Sequence, residues 1–235
     1  MNEQQFKTEL NKLGITLNDY QLYQLEKYYQ LLIEWNQKMN LTAITKKEDV
    51  YLKHFYDSLT IVKTIDLTKI DNLCDIGTGA GFPAVVLKIL FPKLKVTLVD
   101  SLNKRILFLN EVIKQLGLVD IEALHQRAEI FALKQREKFS VVTARAVAPL
   151  NILSEYCLPL VKINGYFIAM KGDISREIKG IDNVLNKLDS RLITVTKFLL
   201  PYEKSNRTLI KIKKLKITNK KYPRKFSEIK KKPLS

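Results

Sequence analysis

Cysteine and histidine are both scarce in this sequence, with two of each in 235 residues. Cys74 and Cys157 lie in apolar surroundings without the paired spacing of a zinc site or a disulfide framework. They therefore indicate reduced, buried side chains of a cytoplasmic protein. With only His54 and His125 as further ligands of that kind, we expect no metal site.

Long apolar runs are also missing, and we expect no leader sequence. The first ten residues are polar and mixed in charge, unlike a secretory signal. No apolar run approaches the length that crosses a bilayer. We therefore expect a cytoplasmic protein without a membrane partner.

Acidic residues are outnumbered, with 24 Asp and Glu against 40 Lys and Arg, which gives a net charge of +16. Residues 211–235 hold eleven of these cations and the single acid Glu228, a net +10. Such a balance indicates a polyanionic partner, either nucleic acid or an anionic surface. Beyond residue 215 no apolar periodicity is visible, so the sequence predicts a loosely ordered basic tail over 216–235.

The first 70 residues have a helical pattern. Gly14 ends a short predicted helix, and Asn18 or Asp19 can cap the next one. Apolar residues then recur at helical spacing, at Leu22, Leu25, Tyr29, Leu32, Trp35 and Met39. A further helix is predicted over 47–63. An apolar stripe of this width usually packs against the next part of the chain.

From residue 72 to 215 short apolar runs alternate with amphipathic segments, which is typical of βαβ units and a parallel sheet. Strands are predicted at 72–76, 95–99, 120–124, 139–143 and 164–170, with helices at 82–90, 103–116, 149–160 and 174–189. Two later strands, at 192–199 and 207–215, could pair antiparallel. The predicted organisation is a helical segment at 1–70, a Rossmann-like α/β domain at 71–215 and the basic tail.

Three closely spaced glycines follow the first predicted strand, at Gly77, Gly79 and Gly81. They allow a tight turn and a close backbone approach to a ligand, and the amides of the following helix start favour an anionic group. Asp100 ends the next strand, where an acid can accept hydrogen bonds from two ribose hydroxyls. Nicotinamide cofactors and S-adenosylmethionine share that requirement. The shorter glycine spacing favours a class I methyltransferase loop over a nicotinamide-dependent oxidoreductase.

Several motifs extend this pattern along the chain: WN at 35–36 with NLT at 40–42, HFYDS at 54–58, DIGTGAGFP at 75–83, DSLNKR at 100–105, RAE at 127–129, ARA at 144–146, MKG at 170–172 and KYPRK at 221–225. In this order they resemble the ribosomal RNA small-subunit methyltransferase G family, also called glucose-inhibited division protein B. Ala84, where the family pattern has glycine, and the Lys-rich ending are departures.

The resemblance implies an α/β, class I S-adenosylmethionine-dependent methyltransferase with a Rossmann-like sheet and an N-terminal helical extension. It implies a cofactor site lined by Gly77, Phe82, Ala128, Glu129 and Arg145. Asp100 is added to this set as the acceptor for ribose hydroxyls. Gly79 and Gly81 are added because they form the tight turn that approaches the ligand. The resemblance also implies 16S ribosomal RNA, or the small ribosomal subunit, as partner and guanine N7 as target.

Other target atoms fit the sequence less well. Methylation of exocyclic amines in this superfamily uses an acid or Asn before two prolines, but no two prolines are adjacent here. Methylation at pyrimidine carbon 5 uses a cysteine nucleophile after proline, which neither cysteine provides. Guanine N7 carries a lone pair and no proton, so alignment suffices. We expect Arg145 and Lys171 to hold guanine O6 or a phosphate, with His54 and Asp57 supporting the pocket.

Basic residues outside the tail are candidates for contacts with RNA phosphates, namely Lys104, Arg105, Arg127 and Arg207. A charge run is often only a solvated surface, and a non-catalytic RNA-binding assembly factor would share this composition. We expect a monomer.

Overall fold

A seven-stranded sheet forms the centre of the chain, in the order β3-β2-β1-β4-β5-β7-β6. The computed structural model describes residues 1–145, 147–175 and 177–235. The strands are β1 Asn72–Ile76, β2 Lys95–Asp100, β3 Ile121–His125, β4 Phe139–Arg145, β5 Val161–Lys171, β6 Ser190–Leu199 and β7 Asn206–Lys214. The first five pair in parallel, and β7 pairs antiparallel with both β5 and β6. The predicted parallel sheet with an antiparallel end is therefore confirmed.

Helices cover both faces of the sheet. They are α1 Glu3–Lys12, α2 Asp19–Met39, α3 Lys47–Val50, α4 Asp57–Leu59, α5 Ala84–Leu90, α6 Asn103–Gln115, α7 Ala128–Lys134, α8 Leu150–Cys157, α9 Ile181–Lys187 and α10 Phe226–Lys231. A π-helical turn, Tyr51–Tyr56, joins α3 to α4, and a 3-10 turn, Thr60–Lys63, follows. The predicted helix over 47–63 is thus a continuous helical run. None of the described helices combines the length and the apolar character that would be needed to cross a membrane.

Two apolar cores lie on opposite faces of the sheet, because side chains alternate along each strand. Leu73 of β1 belongs to the core that α1 to α6 cover, whereas the next residue, Cys74, belongs to the core under α7 to α9. Both side chains are fully buried. A parallel sheet that is covered on both faces explains why the central strands are nearly continuous apolar runs.

The long helix α2 buries a stripe that differs slightly from the predicted one. Asn18 caps it, with its side chain accepting from the Gln21 amide, which decides between the two predicted caps. Leu25 and Leu32 are fully buried as predicted, but the stripe centres on Tyr28, which is also fully buried. Tyr28 escapes prediction because its hydroxyl suits a surface position as well.

The predicted helix over 174–189 is only partly present. Gly180 has φ +74° and precedes α9, which covers Ile181–Lys187. A left-handed residue interrupts a right-handed helix, so the regular helix begins after it. Arg176, within the predicted helix, lies outside the described residues, as does Ala146 of the ARA motif.

The C-terminal segment, residues 216–235, is packed on the domain, which corrects the expectation of a loosely ordered tail. Tyr222, Ile229 and Leu234 are buried in the core under α7 to α9. Arg224 forms hydrogen bonds to both carboxylate oxygens of Glu155, a residue with no exposed surface. These anchors are single residues separated by lysines, so they produce no periodic signal in the sequence.

Substitution of Gly81 tests how the glycine loop packs on α2. An added methyl group would lie 2.6 Å from the Tyr28 hydroxyl oxygen and 2.9 Å from Leu109 Cδ2, at a backbone φ of +96°. We expect Gly81→Ala to lower the free energy of unfolding by about 3 kcal/mol, from backbone strain and overpacking together. Urea unfolding followed by circular dichroism measures it.

The matched control is Gly14→Ala. Gly14 also has a positive φ, +74°, but an added methyl group there meets no atom within 4 Å. Gly14→Ala should lower the free energy of unfolding by only about 1 kcal/mol, the cost of placing alanine in the left-handed conformation. Equal losses in the two variants would contradict the role assigned to packing at Gly81.

Candidate active site

The glycine-rich loop follows β1 and turns over the carboxyl ends of β1 and β2. Gly77, Gly79 and Gly81 all have positive φ, at 68°, 62° and 96°. The amide of Gly79 donates to Asp100 Oδ2 at 2.9 Å, which ties the loop to β2. A methyl group at Gly77 would lie 2.6 Å from Val147 Cγ2, so the space at that position is already filled. At Gly79 an added methyl group would meet only the Gly77 carbonyl oxygen, at 4.0 Å, so Gly79 presents bare backbone to the cavity beside it.

Asp100 organises this region through three donors. Its Oδ2 accepts from the Gly79 amide and from Arg105 Nη1, at 2.9 and 3.0 Å. Its Oδ1 accepts from the Leu102 amide at 2.9 Å. The carboxylate is 2% exposed and faces the cavity along the loop. A ligand hydroxyl would thus meet an acceptor whose position is already fixed.

A second carboxylate, Asp75, supports the loop from beneath. It is fully buried, and its Oδ2 accepts from Thr78 Oγ1 at 2.7 Å. Its Oδ1 has no hydrogen-bond partner among the described residues. Desolvation raises the pKa of Asp75 to about 7, although the bond from Thr78 opposes that shift.

The carboxyl end of β3 brings Arg127, Ala128 and Glu129 together. Arg127 Nε donates to Glu129 Oε1 at 2.6 Å, and the guanidinium carbon of Arg127 lies 4.0 Å from the centroid of the Phe226 ring. Glu129 is 8% exposed. The Arg127 guanidinium, predicted as a phosphate contact, is therefore already paired, and its RNA contact stays a prediction.

Arg145, at the end of β4, is the centre of the site. Its Nη1 donates to the Lys53 carbonyl at 3.0 Å and lies 3.3 Å from Asp57 Oδ2. Its Nη2 lies 3.2 Å from His54 Nδ1, and its guanidinium carbon lies 5.2 Å from the centroid of the Phe82 ring. All four partners lie outside β4, so Arg145 joins the sheet to the helical segment and the glycine loop.

The contacts of His54 determine its protonation state. Arginine can only donate, so His54 Nδ1 accepts, and Nε2–H then donates to Thr42 Oγ1 at 3.0 Å. The ring stacks on Phe82, with centroids 4.3 Å apart. Desolvation, followed by the charge of Arg145, lowers the pKa of His54 to about 3. The imidazole is therefore neutral at physiological pH.

Asp57 lies between two arginines. Arg207 Nε donates to both of its carboxylate oxygens at 3.1 Å. Asp57 is 5% exposed, so its carboxylate interacts with the two guanidinium groups at short range and with little screening by water. One carboxylate and two guanidinium groups leave a net positive charge at this end of the sheet.

The remaining predicted cations differ in how they are engaged. Lys171 Nζ donates to the Ala148 carbonyl at 2.8 Å and to Glu177 Oε2 at 2.6 Å, which secures the chain that follows β4. Lys104 Nζ donates to the Met39 carbonyl at 2.8 Å and its side chain remains exposed. Arg105 is bound to Asp100. Over the described ranges, no three His, Cys, Asp or Glu side chains are grouped so as to hold a metal ion.

Three adjoining cavities lie at this edge of the sheet. The glycine-loop cavity, of about 380 Å³, is lined by the loop, Asp100 and Arg145. The Glu129 cavity, of about 310 Å³, shares Gly77 and Asp100 with it. The Arg207 cavity, of about 300 Å³, lies beyond His54 and Arg145, the two residues that it shares with the glycine-loop cavity. All the predicted cofactor residues except Gly81 thus line one connected region, and the four predicted catalytic residues line the Arg207 cavity. Gly81 lies instead against Tyr28 and Leu109, away from the cavities.

Sequence reasoning missed several residues of this site. Thr42 holds His54, Val147 lies against Gly77, and Phe226 lines the Glu129 cavity. Tyr28 donates a hydrogen bond to the Ala80 carbonyl within the glycine loop. Only Thr42 carries a usable signal, because it stands in the NLT motif that contributes to the family resemblance.

Similar proteins of known structure share this fold. A SAM dependent methyltransferase from Aquifex aeolicus superposes with a TM-score of 0.53 at 18% identity, over 71% of this chain and 93% of that one. A variant of the 16S rRNA (adenine(1408)-N(1))-methyltransferase from Catenulisporales acidiphilia, solved with the cosubstrate SAM, gives 0.52 at 14% identity over 63% and 87%. At these identities the likeness shows the class I methyltransferase fold alone.

Sequence similarity is much closer to one family. A family profile described as rRNA small subunit methyltransferase G matches residues 21–209. A protein named ribosomal RNA small subunit methyltransferase G from Exiguobacterium sibiricum is 50% identical over the whole of both chains. Its namesake from Bacillus cereus is 53% identical over 96% of this chain and 95% of its own. Since the match covers most of the chain and both relatives align along their length, this chain belongs to the rRNA small subunit methyltransferase G family.

Proposed function

We propose that this chain transfers a methyl group from S-adenosylmethionine to N7 of a guanine in 16S ribosomal RNA. The observation that carries the proposal is the shared wall between two cavities. His54 and Arg145 line both the glycine-loop cavity and the Arg207 cavity. Methyl transfer needs donor and acceptor in direct contact, and two cavities that meet at one wall satisfy that need.

The residues of the glycine-loop cavity and of the Glu129 cavity fit the proposed cofactor. Gly77 and Gly79 offer backbone without side chains, Asp100 is an oriented acceptor for ribose hydroxyls, and Glu129 is an acceptor for an exocyclic amine. When bound, the cofactor supplies an electrophilic methyl group on a sulfonium. The chain itself would hold the two ends of that ligand and exclude water from the region near His54.

The Arg207 cavity suits a purine base attached to a phosphate backbone. Its apolar lining consists of Ile44, Met170, Phe198 and Leu209, and its cations are Lys53, Arg145, Lys171 and Arg207. Apolar side chains would contact the flat ring, and guanidinium groups donate to guanine O6 or to phosphate. In this proposal Arg145 and Arg207, held by Asp57, position the base.

No general base is needed for the proposed acceptor atom. Guanine N7 attacks with its lone pair and loses no proton. The neighbouring His54 is engaged at both ring nitrogens, and its low pKa of about 3 keeps it neutral. Its stacking on Phe82 and its bonds to Thr42 and Arg145 support a positioning role. Catalysis would then depend on alignment and on fixed positive charge.

Contacts with RNA phosphates would come from cations that the fold leaves accessible. Lys104 is exposed and precedes Arg105, which lines the glycine-loop cavity, and Arg207 lines its own cavity. The C-terminal segment adds exposed lysines at 216, 220, 221, 225 and 230–232. Electrostatic contacts of this kind give affinity without sequence specificity.

The function is tested by incubating the protein with cofactor carrying a labelled methyl group and with 16S RNA or small subunits. We expect label in the RNA, and cleavage at one guanine after borohydride and aniline treatment, which acts at N7-methylguanine. Labelled RNA that resists cleavage would reject N7 as the target atom. A protein that binds RNA and transfers no label to either substrate would be an assembly factor without catalytic function.

Replacement of Arg145 by lysine tests whether its fork of donors aligns the reaction. A single ammonium cannot meet the Lys53 carbonyl, His54 and Asp57 together, whereas Asp57 keeps Arg207 as partner. We expect the single-turnover rate to fall about ten- to a thousand-fold. The exposed Arg191→Lys on β6 should leave the rate unchanged. A wild-type rate in Arg145→Lys would show that the Arg145 guanidinium does not align the reaction.

The buried neutral state of His54 predicts how stability depends on pH. In the unfolded chain His54 binds a proton below its ordinary pKa of 6.5, but in the folded chain the pKa is only about 3. This group therefore destabilises the fold as pH falls through 6.5. At pH 5 the loss relative to pH 7.5 should be about 2 kcal/mol, and His54→Gln should abolish it.

Urea unfolding of wild type and His54→Gln at both pH values gives this difference directly, because contributions from other groups cancel. His125→Gln, at an exposed histidine, is the matched control and should behave as wild type. An identical pH response of wild type and His54→Gln would show that the pKa of His54 is the same in the folded and the unfolded chain.

A further inference from the structure

The C-terminal segment supplies part of the wall of the Glu129 cavity. Phe226 is the first residue of α10 and lines this cavity together with Arg127, Ala128 and Glu129. Its ring remains 42% exposed, although Ile229 in the next turn is fully buried. An aromatic ring that faces a cavity beside a charged group is a common feature of ligand pockets.

The position of Phe226 is fixed by its surroundings. Two residues earlier, Arg224 Nε and Nη2 donate to the two carboxylate oxygens of the buried Glu155, at 2.8 and 2.7 Å. Arg136 Nη1 donates to the Tyr222 carbonyl at 2.6 Å. Because these contacts hold the chain before α10, little further ordering is needed when a ligand meets the ring.

Arg127 connects this ring to the acidic residue of the cavity. Its guanidinium carbon lies 4.0 Å from the Phe226 ring centroid, and its Nε donates to Glu129 Oε1 at 2.6 Å. The planar guanidinium is therefore held between a carboxylate and an aromatic ring. Both planar groups border the same cavity as Glu129, which can accept a hydrogen bond from an exocyclic amine.

We infer that Phe226 and Arg127 form the stacking surface for the purine ring of the cofactor, so that the C-terminal segment is part of the cofactor site. This inference rests on the proposed function. Aromatic rings and guanidinium planes both stack on nucleobases, and the stacking surface here lies next to an acceptor for the adenine amino group. The segment thus has two roles, since its lysines face RNA and its aromatic residue faces the cofactor.

Binding of S-adenosylhomocysteine to the full chain tests this, by calorimetry on wild type, Phe226→Ala, Phe226→Tyr and Tyr23→Ala. Phe226→Ala should weaken binding about tenfold, the effect of losing one stacked aromatic ring. Phe226→Tyr keeps the ring and should bind as wild type. Tyr23 is a similarly exposed aromatic residue, at 59%, and lines none of the three cavities, so Tyr23→Ala should bind normally. Adenosine, which carries only the purine and ribose, should lose affinity by the same factor as the full ligand.

The outcomes separate this inference from the function on which it rests. No binding of S-adenosylhomocysteine to wild type would reject the proposed cofactor itself. Normal binding by wild type and by Phe226→Ala alike would overturn the stacking role alone, as would a loss seen with the full ligand and not with adenosine. If Phe226→Ala binds RNA more weakly but binds S-adenosylhomocysteine normally, the ring contacts RNA, and the stacking role is overturned as well. If Phe226→Ala melts below the assay temperature, Phe226→Leu replaces it, because leucine keeps the apolar volume without the aromatic face.

Discussion

The site depends on a guanidinium that must be held almost entirely away from water. Arg145 ends β4 with a side chain that is 15% exposed, and a charge in that position is tolerated only with close partners. Those partners are the Lys53 carbonyl, His54 and Asp57, all from the helical run at 47–63. The helical segment is therefore a structural requirement of the site. The π-helical turn Tyr51–Tyr56 lies within this run. Such turns occur frequently at functional sites.

The glycine loop is held by the same segment from its other side. Tyr28 donates to the Ala80 carbonyl, and its ring lies 5.4 Å from Phe82, which in turn stacks on His54. Beneath the loop, Asp75 is bonded to Thr78, and above it Asp100 is bonded to Gly79. Aromatic packing and two carboxylates thus fix a backbone that, with three glycines, would otherwise have wide conformational freedom. A fixed loop loses little entropy when it binds a ligand.

Some elements of the fold and of the site can be predicted from the sequence, and others cannot. The five parallel strands follow from short apolar runs, and their carboxyl ends place the loop, Asp100, Glu129 and Arg145 on one edge. Motif resemblance names the family, which the sequence comparisons confirm. The prediction for residues 216–235 is wrong, because Tyr222, Ile229 and Leu234 are isolated among lysines. Charge density suggests a solvated arm, whereas burial of three side chains and the pair of Arg224 with Glu155 decide the outcome.

The βαβ order, the glycine loop and the kind of residue at each strand end can be read from the sequence, since these depend on local periodicity and on neighbours along the chain. Which partners those residues have depends on how the elements pack in three dimensions. Asp57 lies 150 positions from Arg207 and 88 from Arg145, and Phe226 lies far along the chain from Arg127. Contacts across such separations arise from packing of whole elements, and no local pattern records them. The neutral state of His54 has the same origin, because burial and a neighbouring guanidinium, and not the residue type, set its pKa.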